Sequence, residues 1–266
     1  MTDDWQNDFE QTNQNALSVD WFVSPLEYLW PDGKQLFDRF FPDVSRPSAQ
    51  FDELCAPAIY RTSMQVDFRA KMMVFAYMRQ DISKSYGLEI ENGLMHLYRL
   101  DYASCISQWI YVIEGYCRRL FSVTSIQNVR PASWVIPVSG SAAYDGFIQS
   151  LSTCLSEYLS GVLFKGTSDF STERLSRHLL VHGNAENKDI FSQKNCLILM
   201  FLLDALVAIE MAGNKQFPQV FSELDGETEK IKERKHIYTK LSESIFNEDN
   251  LLRIEILKEH YSGADS

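Results

Sequence analysis

Residues Cys196–Gly213 constrain the fold of this chain more than any other stretch. Cys, Leu, Ile, Met, Phe, Val and Ala fill almost every position, interrupted by Asp204 and Glu210. An apolar run of this length either crosses a bilayer or is a helix covered on all sides by other helices. A carboxylate at the centre of a lipid span is expensive. The sequence therefore predicts a buried core helix over about 190–212, ended by Gly213 and Asn214. A helix without a polar face needs several neighbours, so the chain must supply further amphipathic helices.

The chain supplies them. Residues 66–84 alternate Phe68, Met72, Phe75, Tyr77 and Ile82 with Arg69, Lys71, Arg79 and Lys84, which predicts a helix with a core stripe and a solvated basic face. Residues 94–122 carry Ala103, Ile106, Ile110, Ile113, Cys117 and Leu120 at three-four spacing, the clearest helical pattern in the chain. Gly115 inside it costs about 1 kcal/mol relative to Ala, so close approach of a neighbouring element is expected there. After a Pro- and Ser-rich loop over 124–142, helical spacing resumes from Tyr144 to Val162. Residues 222–262 are charged, with sparse apolar positions, and read as one or two helices lying on the body or on a second subunit.

Residues 1–60 differ. Trp5, Trp21, Phe22, Tyr28 and Trp30 are interspersed with Pro25, Pro31, Pro42, Pro47 and Pro57. Pro at this density argues against long helices, and the aromatics argue against disorder. An irregular arm with short helical turns is expected, its rings packed on the body. The domain reading is thus an arm over 1–60, a helical domain over 61–220 and a charged helical tail over 221–266. The fold class is all-α, an antiparallel helical bundle.

Composition narrows the chemistry. The 266 residues carry a formal net charge of -11, which disfavours general nucleic-acid binding; any contact with phosphates must come from a local basic cleft. The five cysteines are widely spaced with no CxxC, and reduced thiols in a cytosolic core are expected. The acidic N-terminus has no apolar signal region. No phosphate-binding or dinucleotide-binding glycine pattern occurs, and no GxSxG elbow.

Against this background one stretch carries reactive groups: Ser176-Arg177-His178-Leu179-Leu180-Val181-His182-Gly183-Asn184. It holds two of the chain's five His and one Arg within a few residues. Asp169, Ser171 and Glu173 offer capping groups ahead of it, so the cluster is expected on the first turns of a short helix. His178 and His182 stand four apart on one helix face and could hold a metal with Glu186 as third ligand. The HExxH pattern is absent, however, because Leu179 occupies the Glu position. In a structural role, His182 would cap a helix and Arg177 would pair with Glu173.

Arg, a polar residue, three others and then His resembles the motif of the HEPN superfamily, small all-helical domains many of which are metal-independent RNases. The resemblance covers roughly residues 65–215. It places Arg177 at the family Arg, His182 at the family His and His178 at the polar position after the Arg. Arg253 and His260 have an allowed spacing too, but fall in the charged tail. The resemblance implies an endoribonuclease without metal or cofactor that acts on RNA as a homodimer, its two motifs sharing one cleft. Residues five apart on a regular helix point about 140° from each other, which a shared or irregular site would relieve. The expected catalytic residues are Arg177, His182 and His178, with Glu114 and Asn184 as supports and no metal. The family reading makes the protein a cytoplasmic toxin or anti-phage effector with an antitoxin or regulatory partner and no membrane. The alternative is a non-catalytic HEPN-like module that recognises a partner protein.

Overall fold

The computed structural model describes residues 3–29, 31–41, 48–124, 131–164, 175, 190–216 and 226–245. Among them the structure is all-helical, with no strand. The elements are α1 (Asp3–Leu17), α2 (Pro25–Tyr28), α3 (Pro31–Phe40), α4 (Ser48–Ser63), α5 (Val66–Met72), α6 (Asp81–Ser85), α7 (Gly87–Tyr98), α8 (Tyr102–Leu120), α9 (Ala142–Tyr158), α10 (Gln193–Gly213) and α11 (Glu229–Ser244). Wider π turns, Met73–Tyr77 and Leu159–Leu163, extend α5 and α9.

Helix α10 is the axis of the core. Every residue from Asn195 to Ala212 is buried, and α10 packs against α8, α9, α2 and α4. It is long and apolar enough to cross a membrane, yet 94% of its most apolar window is buried in protein. Ser192 caps it, its side chain accepting from Asn195 N at 3.3 Å.

The N-terminal arm is more regular than its prolines predict. Pro25 and Pro31 open α2 and α3, the helical position where a missing N–H costs nothing. Pro57 lies within the 16-residue α4. The arm's rings do enter the core: Phe22 meets Tyr158 edge-on, and Phe37 meets Phe201 of α10. Trp21 is fully buried and donates to Asp52 at 2.8 Å.

The helix expected over 94–122 is two elements. Leu100 adopts φ 58°, a left-handed conformation that breaks a helix, and Asp101 then caps α8 by accepting from Ser104 N at 3.2 Å. The three-residue turn makes α7 and α8 an αα-hairpin. The expected close approach at Gly115 is present, since an added Cβ would collide with the Tyr86 hydroxyl. The stretch expected as one helix over 66–84 also breaks, at Met78–Gln80 between the π turn and α6.

The tail helix α11 lies on α5 and α7. Ile231 and Tyr238 are its buried residues, and Tyr238 stacks on Tyr98 with centroids 5.1 Å apart. Arg234 and the Tyr238 hydroxyl both bind Glu91, at 2.8 and 2.9 Å, and Lys235 pairs with Asp67 at 2.8 Å.

Candidate functional site

Arg177, His178, His182 and Asn184 lie outside the described residues, as does Glu186. What is described is where the chain meets the body on either side of them. Leu175 is 2% exposed and Ile190 is fully buried, both in the main core. Beyond Ile190 the start of α10 is held firmly. Asn195 donates its amide to Ile190 O at 2.8 Å, and Lys194 pairs with Asp52 of α4 at 2.8 Å while donating to Val19 O. Leu175 and Ile190 are thus both core residues, and the start of α10 is held to α4 and the arm. Glu114, the proposed support, pairs with Arg118 one turn on at 2.9 Å, the pairing expected of an ordinary partly exposed helix Glu.

The described residues bring together a second polar constellation that the sequence did not announce. Asp204, from the middle of α10, is completely buried, and so nearly are Arg69 of α5 and Glu27 of α2. Arg69 Nη1 reaches Asp204 at 3.0 and 3.2 Å, its Nη2 pairs with Glu27, and its Nε donates to Ser63 O. The Ser63 hydroxyl donates to Glu27, while Ser24 and the Tyr77 hydroxyl donate to Asp204. Arg69, expected on a solvated face, is thus an interior residue. The signal for it was Asp204: a buried carboxylate in an apolar helix requires a cationic or hydrogen-bonding partner.

Burial pushes Glu27 up to about 7, outweighing the attraction of Arg69. Asp204 adds to the rise by like-charge repulsion. Tyr77 is also held well above its ordinary value, by burial and then by the adjacent Asp204 charge. The Arg69 guanidinium stays charged despite its burial, because two carboxylates face it.

A separate carboxylate, Glu210, one turn and a half further along α10, caps α6. It accepts from Ile82 N at 2.7 Å and Ser83 N at 3.2 Å, and from the Tyr116 hydroxyl. The two interruptions of the apolar helix therefore tie it to α5 and α6. All five cysteines are reduced and buried. Among the described residues no cluster of three His, Cys, Asp or Glu side chains could hold a metal ion.

Comparison with protein-family models, with curated proteins and with solved structures gives no match for this chain.

Proposed function

We propose that this protein is a metal-independent endoribonuclease of the HEPN kind. The observation that carries the proposal is the run Arg177-His178-x-x-x-His182-Gly183-Asn184 shortly ahead of a helix buried from Asn195 to Ala212, in a protein whose described residues form helices and no strand. Burial of Leu175 and Ile190 supports it, because a catalytic segment needs its ends fixed to a rigid body.

In the proposed mechanism Arg177 grips the scissile phosphate through its planar fork. One imidazole takes the proton from the ribose 2′-hydroxyl, whose oxygen then attacks phosphorus. The 5′-oxygen leaves and receives a proton from a general acid. His182 serves as base or acid, with an unperturbed imidazole pKa near 6.5 suited to either role. His178 orients or assists, Asn184 supports, and Glu114 has a supporting place on the neighbouring helix α8. Two protomers pair so that their motifs face one cleft. The biological setting proposed is a cytoplasmic toxin or phage-defence effector held in check by an antitoxin or regulatory protein.

The test is cleavage of RNA in the presence of EDTA. Wild-type protein is expected to cleave, and His182→Ala to lose that activity while keeping the wild-type melting temperature. A specific observation favours a second reading, a non-catalytic HEPN-like module that binds a protein: the net charge of -11 opposes RNA on most of the surface. Partner capture without cleavage at any pH from 6 to 8 would select it.

A further inference from the structure

The start of α10 brings two thiols together. Cys196 Sγ donates to Tyr102 O at 3.7 Å. Tyr102 opens α8, and Cys105 stands one turn further along it. Helix carbonyls point toward the helix C-terminus, so a sulfur seated on Tyr102 O lies level with Cys105. The first turn of α8 is regular there, with Cys105 N bonded to Asp101 O at 3.1 Å. The contact is direct: the Cys105 thiol has that of Cys196 as its side-chain hydrogen-bond partner. Both residues are fully buried, and both thiols are reduced.

The packing suits a covalent bond between them. A disulfide usually joins Cα atoms about 4.4–6.8 Å apart. Helices packed at about 8–10 Å between axes, with Cα atoms at about 2.3 Å from each axis, leave about 3.5–5.5 Å between facing Cα atoms. Helices α8 and α10 pack closely on each other. Joining two touching sulfurs then needs a movement of about 2 Å, within reach of side-chain rotation. The other three thiols have different surroundings. Asp52 and Lys194 act on Cys55, Glu114 acts on Cys117, and Glu10 and Glu157 act on Cys154. Contact in the fold, and no sequence spacing, singles out the pair.

We propose that Cys105 and Cys196 form a modification site, a dithiol that small disulfide compounds oxidise to an internal disulfide joining α8 to α10. Access comes from the end of α10. Cys196 lies one turn inside that helix, beside Tyr60 and Tyr102, which are both partly exposed. Opening of a terminal turn uncovers Cys196 first. Its sulfur, having lost its proton, attacks one sulfur of the small disulfide. The S–S bond breaks, and one small thiolate leaves and takes up a proton. Cys105 then gives up its proton and attacks the Cys196 sulfur, displacing the second small thiolate, which is protonated in turn. Two protein thiols are oxidised and one disulfide compound is reduced to two thiols. Burial, and then the Cys196 neighbour, hold the Cys105 thiol well above its ordinary value, so the exchange is slow, on the scale of hours.

The bond closes a loop of about 90 residues, and long loops gain most in the chain-entropy account of disulfides. The probe is 2-hydroxyethyl disulfide, applied at pH 8 to the full folded chain. Two of the five thiols should disappear, and a protease map without reductant should show the peptides of Cys105 and Cys196 joined. The melting temperature should rise by about 5–15 °C and return to its starting value with dithiothreitol. Cys105→Ala should show no rise under the same treatment, and Cys55→Ala the full rise. The map of the wild type needs no variant to fold. A disulfide between other cysteines, or mixed disulfides with no internal bond, would overturn the proposal. So would exchange that occurs only above the unfolding transition, because the thiol contact belongs to the folded protein.

Discussion

Replacing Glu27 by Gln gives a quantity that can be worked from the structure. In the native protein the carboxyl is pushed from 4.5 to about 7. In the unfolded chain it returns to the ordinary value, so between these limits the native state holds a proton that the unfolded state has lost. Stability from this group is therefore fully present below about pH 4.5 and disappears as pH rises through about 7. At about 1.4 kcal/mol per pH unit the span is worth about 3 kcal/mol. Gln keeps the shape and can still accept from Arg69, but does not titrate. The assay is denaturant unfolding of both proteins at pH 5 and pH 8. Part of that span is already lost at pH 5, so the wild type should lose about 2–3 kcal/mol relative to Glu27→Gln between the two. Asp8 and Asp67 are held low by their lysine partners, but their contribution falls at more acidic pH and is common to both proteins. A stability difference that is the same at pH 5 and pH 8 would refute the assignment of a neutralised buried Glu27.

Other perturbations have equally direct outcomes. Arg69→Met strands two buried carboxylates and should cost about 3–5 kcal/mol, read as a fall in melting temperature that is steeper at pH 8 than at pH 5. Gly93→Ala places a methyl inside the buried Trp109 indole, whose Nε1 donates to Ile90 O at 3.1 Å; a loss of about 1–3 kcal/mol is expected, and unchanged stability would contradict the packing of α7 on α8. Arg177→Ala and His182→Ala should each lower RNA cleavage by about 10²–10⁴-fold, with a double mutant less impaired than the product of the two. Sedimentation should show a dimer at micromolar concentration; monomer alone would contradict the shared cleft.

What the sequence revealed, and what it hid, follows from the range of the interactions. The core helix was legible because its burial is written into consecutive residues, and α10 begins and ends within three residues of the expected 190–212. The hairpin turn at Arg99–Asp101 was not, because its break rests on a Leu in a left-handed conformation, which residue type disfavours. The capping Asp101 was the one local sign of it. In the arm, Pro was read as a helix breaker where Pro25 and Pro31 are helix openers, a distinction set by register alone. The Glu27–Arg69–Asp204 cluster joins residues 42 and 135 positions apart, and no periodic pattern encodes a partner at that distance. Arg69 therefore looked like any basic residue beside a core stripe. The Arg177–His182 motif differs again: the chemistry proposed for it rests on the spacing of its residues, and those residues lie outside the described part of the structure.

The chemistry of the RNA ends tests the central proposal most directly. Attack by the ribose 2′-oxygen, with proton transfer by imidazole and no metal, leaves a 2′,3′-cyclic phosphate on one fragment and a 5′-hydroxyl on the other. Purified wild-type protein in EDTA is predicted to generate these ends, and His182→Ala not to. Ends bearing 3′-hydroxyl and 5′-phosphate, or cleavage that stops when metal is chelated, would contradict the account.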